Sequence, residues 1–150
     1  MRAKLIGICL VGALVLTGGC GAGRARLSER DFVRESSAVC ARANRAIARI
    51  ETSSLGGLSA KVVAIHRSSV ASLRDLRPPR SYEHTAKVWI ALIDQTLDEV
   101  DAMRAAMRAG HEGEAGVYAR SATALEARAR AIARGSGITP CLTPALTVLQ

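Results

Sequence analysis

Residues 81–110, SYEHTAKVWIALIDQTLDEVDAMRAAMRAG, decide the fold class. Tyr82, Ala86, Trp89, Ile93, Thr96, Val100, Met103 and Met107 follow one another in steps of three and four, the period of one helix face. Ser81 stands where an N-cap belongs, and Gly110 stands where a helix end calls for a left-handed residue. At 1.5 Å per residue this helix is about 40 Å long, enough to span a small domain. Met103 and Met107 carry core spacing and need no cofactor to explain them.

Working outward, three more amphipathic segments bring the total to four. Ser28 is an N-cap with Asp31 three residues later, a capping-box arrangement. The stripe that follows is Phe32, Ser36, Val39, Ala43, Ile47 and Ile50, and this helix is expected to end before Gly56 and Gly57. The next runs from about Leu58 through Val62, Ile65, Ser69, Leu73 and Leu76, and stops at Pro78 and Pro79, whose rings forbid continuation. The last carries Tyr118, Ala122, Leu125, Ala129 and Ile132 before Gly135. Short links favour antiparallel neighbours, and strand alternation is scarce. The expectation is an all-α, up-down-up-down four-helix bundle over residues 28–150. A short C-terminal tail follows from Ile138, with a turn at Pro140 and a last helical turn at Thr143 and Pro144.

Ahead of the bundle, Arg2 and Lys4 precede an apolar run over residues 5–16, then Thr17, Gly18, Gly19 and Cys20. The run is too short to span a bilayer, which takes roughly 20 apolar residues, but it suits a secretory leader. The stretch around Cys20 resembles the lipobox of bacterial prolipoproteins, which are cut just before a cysteine already carrying diacylglycerol. That family prefers leucine three residues before the cysteine; here Thr17 holds the place, with Leu16 one step back. The resemblance implies a signal peptide over residues 1–19, lipidation of Cys20 and a lipidated tether over residues 20–27. It places the protein at the cell membrane, lipid-anchored on the extracytoplasmic side. The alternatives are an ordinary leader cut after Ala22 or an uncleaved anchor. Two or more acyl chains hold a protein durably where one does not. Gly21, Ala22 and Gly23 read as flexible, and Arg24 and Arg26 would lie near anionic headgroups.

Removal of the leader leaves 131 residues, enough for one core and too few for two. Net charge is +8, falling to +6 without Arg2 and Lys4. Only Lys4, Lys61 and Lys87 are lysines among the 21 basic residues, a skew that fits genome-wide compositional bias more than a dedicated function. Aromatic residues make up 3% of the chain, so the arginines lack the stacking platforms of a nucleic-acid binder. Of four cysteines, Cys9 leaves with the leader and Cys20 takes the lipid. Cys40 and Cys141 remain as an even pair in an oxidising compartment, and a disulfide between them is expected. Closing a loop of about 100 residues stabilises by up to about 4.7 kcal/mol in the chain-entropy model. The rival fate, a metal ligand or reactive thiol, lacks neighbouring histidines.

The mature domain also resembles a loose group of uncharacterised small lipoproteins from high-GC bacteria. The shared features are Phe32, Cys40 and Asn44 in the first helix, Pro78 and Pro79 between the second and third, and Gly137 with Cys141 near the end. The resemblance implies a fold and a compartment, without an activity.

Candidate chemistry is thin. Asp94, Asp98 and Asp101 align on one side of the third helix, with Glu83 and Glu99 elsewhere on it. They pose a choice between a hard cation and a solvated face paired with arginines of neighbouring helices, and the second is the simpler. His66 falls beside Val62, Val63 and Val70 and reads as a satisfied structural residue; His84 and His111 sit near helix ends. Ser136 lies between Gly135 and Gly137 without a nucleophile elbow, and helix termination explains the triplet. Arg34, Arg42, Arg45 and Arg49 form a basic face on the first helix, suited to anionic headgroups, an acidic partner or plain solubility.

The expectation is therefore a non-catalytic binding, scaffold or accessory protein of the bacterial cell envelope, with no cofactor, no metal site and no nucleic-acid partner. The alternative is a carrier holding a small apolar ligand or metal ion within the bundle. An apolar patch at Leu142, Leu146 and Val148 would favour a protein partner.

Overall fold

Ser28 fixes the start of the first helix. Its hydroxyl accepts from the Asp31 backbone N–H at 3.1 Å and donates to the Asp31 carboxylate at 2.7 Å, so one of the free donors of the first turn is satisfied. The computed structural model describes residues 25–51, 55–139 and 141. Within them the order is α1 (Glu29–Ala48), α2 (Leu55–Arg74), a 3-10 turn (Arg80–Tyr82), α3 (Glu83–Arg108) and α4 (Glu112–Gly135). The architecture is an all-α four-helix bundle with sequential neighbours packed together. Residues 1–24, which hold the expected leader, Cys20 and most of the expected tether, lie outside the described residues, as do residues 52–54, Pro140 and residues 142–150.

Helix α1 buries Phe32, Ser36, Val39, Cys40 and Ala43, the expected stripe, while Ile47 and Ile50 are half-buried. It closes earlier than the glycines suggested, at Ala48, where the Arg49 N–H turns back to the Ala46 carbonyl. Gly56 and Gly57 instead fall in the first turn of α2. A first turn tolerates glycine because its N–H groups have no intrahelical partners to lose.

The buried face of α2 is rotated from the one expected. Val63, His66, Ser69, Val70 and Leu73 are buried, whereas Val62, Ile65 and Leu76 are only half-covered. Helix α2 packs against α1 on one side and α3 on the other, so its contact surface is wider than a single stripe.

At the far end, Pro78 and Pro79 bring the chain into the 3-10 turn, where the Tyr82 N–H reaches the Pro79 carbonyl at 2.9 Å. This entry displaces Ser81 from the cap position. Tyr82 holds it instead, without a side-chain cap bond. The Tyr82 ring meets Phe32 edge-on, with centroids 5.9 Å apart.

Helix α3 is the axis of the domain. Ala86, Trp89, Ile93, Thr96 and Val100 are buried as expected, but so are Leu92, Leu97 and Ala106, because partners lie on two sides. Met107 is 61% exposed, contrary to its core spacing: on this last turn of α3 it is Ala106 that faces inward. Against α3, helix α4 presents a ridge of Ala115, Ala122, Ala129 and Ala133, and small side chains let the two backbones close on bulky α3 residues.

Both α3 and α4 end in the same device. Gly110 adopts φ +77° and Gly137 φ +69°, the left-handed region open to glycine. The His111 N–H then reaches the Ala106 carbonyl and the Ile138 N–H reaches Ala133, both at 2.9 Å, the long bond of a Schellman motif. Thus the Gly135, Ser136, Gly137 triplet is a helix terminus, with Gly137 rather than Gly135 as the turning residue. Ile138 tucks into the core, and Cys141 forms a disulfide with Cys40 at a Cα separation of 4.1 Å.

At its N-terminal edge the bundle begins before Ser28. The Leu27 N–H bonds the Arg77 carbonyl at 2.8 Å, and Arg26 contacts both the Pro78 carbonyl and Glu83 at 3.0 Å. Arg26 therefore spends its charge within the fold.

Candidate functional site

Across α2 and α3 runs the most developed polar arrangement. Arg67 reaches Asp98 at 2.8 Å and Asp101 at 3.0 Å, with Asp94 at 3.8 Å; Arg74 also pairs with Asp94, and Arg104 with Asp101 at 3.0 Å. The hydrogen bonds to Asp98 and then Asp101 hold the Arg67 guanidinium above its ordinary range. The acidic row of α3 is thus matched by guanidinium groups, and no group of three or more metal-ligating side chains occurs among the described residues. This is a solvated clamp between neighbouring helices.

His66 departs from the satisfied histidine expected. It is 2% exposed, and neither ring nitrogen has a hydrogen-bond partner among the described residues. Removal from water pushes its pKa down to about 4, so the imidazole is neutral at ordinary pH. His84 and His111 are exposed on other parts of the bundle; His111 Nδ1 lies 3.5 Å from Glu114. The three histidines do not converge.

Sequence spacing gave no hint of Glu126. It is buried on the inner face of α4, one turn before its ion-pair partner Arg130. Burial raises its carboxyl above the usual range, and Arg130 opposes that shift. Such a pair is neutral for stability when both members are kept and costly when one is removed.

On α1 the basic face is narrower than the sequence suggested. Arg34 is taken by Asp31 at 2.7 Å and Glu35 at 3.2 Å. Arg42, Arg45 and Arg49 are exposed and form no ion pair with the described residues.

Arg42 also edges a groove of about 260 Å³ between α1 and α2. From α1 come Val39, Ala43 and Ala46, and from α2 Ile65, Ser68, Ser69 and Ser72. The cause is side-chain size: alanines face serines here, and neither is long enough to close the space. Ser69 and Ser72 donate their hydroxyl protons to the carbonyls one turn back, Ile65 at 2.9 Å and Ser68 at 3.1 Å, so they are not free donors to the groove. The run of small residues on both helices was the available sequence signal. It was silent because nothing in either segment alone says that the two will face each other.

Among the described residues no helix is long and apolar enough to cross a membrane. Cys20 and the apolar residues Leu142, Leu146 and Val148 lie outside the described residues. Comparison of the chain with protein-family models, curated proteins and solved structures gave no match.

Proposed function

We propose that this is a lipid-anchored helical domain on the extracytoplasmic side of a bacterial cell membrane, acting by binding as a scaffold or accessory protein. The observation that carries the reading is the pairing of Cys40 with Cys141 behind a leader that ends in Cys20. A buried disulfide closing most of the domain suits an oxidising compartment, and the leader supplies the route there.

Binding rather than chemistry is the reading that the engagement of several reactive side chains supports. Asp94, Asp98 and Asp101 of α3 pair with arginines, and His66 is sealed away from solvent. Among the described residues, the exposed arginines of α1 and the groove beside them offer a surface. Arg42, Arg45 and Arg49 suit an acidic envelope component or anionic headgroups near the anchor.

The test is recovery of partners from a detergent extract, comparing the native protein with Cys20→Ala. An envelope component that copurifies with the native form and is lost with the variant supports the reading. Equal recovery by both, or none by either, counts against it.

A further inference from the structure

The groove between α1 and α2 joins two features in one place. Val39 and Ala43 are buried at its floor beside Ser69, Ile65 is half-buried at its wall, and its rim carries Ala46 and Arg42, a cation with no acidic partner among the described residues. The donors of Ser69 and Ser72 are turned onto their own helix, which leaves Arg42 as the charged donor at the edge. An apolar slot with a guanidinium at its lip is complementary to an amphiphile with an anionic head.

Dimensions narrow the class. From Val39 to Ala46 the groove follows α1 for two turns, about 10 Å at 1.5 Å per residue. Its volume of about 260 Å³ lies below the range of about 300–1,000 Å³ for sites that enclose a drug-sized molecule. Two acyl chains do not fit; one does, and the end of a chain longer than about 10 Å projects from the open groove.

We infer that this groove binds a single fatty acid, its alkyl chain along Val39, Ala43, Ala46 and Ile65 and its carboxylate on Arg42. The site gives the domain a ligand of its own, separate from any lipid on Cys20. It stands whether or not the protein is anchored.

A diazirine analogue of dodecanoate tests this on the full processed protein in phosphatidylcholine vesicles, with peptide mapping of the photo-adducts. Label is expected within residues 39–46 and 65–72, displaced by dodecanoate and not by dodecyltrimethylammonium. Arg42→Gln is expected to cut labelling about tenfold, the loss of a charge-assisted contact. Arg42→Lys should restore much of it. Ala46→Trp fills the slot and abolishes labelling, and Ser72→Leu does the same should Ala46→Trp fail to give a helical circular dichroism spectrum. Label scattered over all four helices, competition by the cationic amphiphile, or an unchanged Arg42→Gln overturns the proposal. So does a groove labelled only after residues 142–150 are deleted, which would give it to the chain's own tail. A protein found unlipidated yet still labelled here would sink the anchored reading and leave the groove intact.

Discussion

Cys40 in the middle of α1 and Cys141 beyond the end of α4 are bonded across a sequence separation of 101 residues. The bond ties the segment after α4 to a helix that α4 otherwise touches little. Thr139 reinforces the tie, donating its N–H to the Ser37 hydroxyl at 3.0 Å. In the chain-entropy account a loop of this length is worth about 4–5 kcal/mol through the unfolded state. Replacing both cysteines by alanine is expected to cost most of that, read as the fall in unfolding free energy extrapolated from urea titrations, with a steeper slope because the uncrosslinked denatured chain exposes more surface. A double variant within 1 kcal/mol of the native protein would mean that the bridge constrains little.

Acid should loosen the bundle through His66. Its ordinary pKa of 6.5 applies unfolded, and burial pushes the folded value down to about 4. Between those limits the unfolded chain takes up a proton that the folded one refuses, so stability falls as pH drops through the window and levels off below it. The loss by pH 4 is about 3 kcal/mol, from 1.36 kcal/mol per pKa unit. Urea titrations of the native protein and His66→Leu should diverge below pH 6.5, with the variant the flatter. Parallel curves would remove His66 as the cause.

Arg67 is expected to matter modestly and in a salt-dependent way. Arg67→Gln leaves Asp98 and Asp101 without their α2 partner, and partly exposed pairs of this kind contribute about 0.2–1 kcal/mol each. The melting temperature should fall by a few degrees in dilute buffer, with the difference shrinking in 1 M salt, where the Debye length is about 3 Å. A deficit that persists in high salt would point to packing of the arginine stem instead.

Gly110 and Gly113, three residues apart, should respond to alanine with opposite signs. At Gly110 nothing obstructs an added Cβ, so the penalty of Gly110→Ala comes from φ +77° alone and should be about 1–2 kcal/mol destabilising. Gly113 lies in the first turn of α4 with equally open space and no positive φ, and Gly113→Ala should stabilise by about 0.4–1 kcal/mol. Thermal melts of the two single variants decide it; shifts of the same sign would refute the account of the α3–α4 turn.

Much of the fold was legible because helix periodicity and stop residues are local signals. The stripe of α1, the two prolines after α2 and the glycines after α3 and α4 all appear in the structure near their expected positions. What escaped depends on neighbours. Burial of Leu92 and Leu97 follows from α3 having partners on two sides, which a one-face pattern does not encode. Met107 has core spacing but Ala106 takes the inward place on that turn, and Ser81 lost its cap role to the turn that Pro79 starts. At the candidate site, the pairing of Asp94, Asp98 and Asp101 with arginines was legible as charge complementarity. The groove was not, because it exists only where Ala43 and Ala46 come opposite Ser69 and Ser72.

The reading of the protein as an anchored envelope component turns on one atom, the sulfur of Cys20. Intact-mass spectrometry of the protein isolated from bacterial membranes addresses it directly. The account predicts a chain beginning at residue 20 that carries diacylglycerol on the cysteine, with a mass that falls by the ester-linked acyl chains after lipase and base treatment and stays above the bare polypeptide by the thioether-linked glyceryl group. A chain that begins after Ala22, or one that begins at residue 20 with a free thiol, would contradict it.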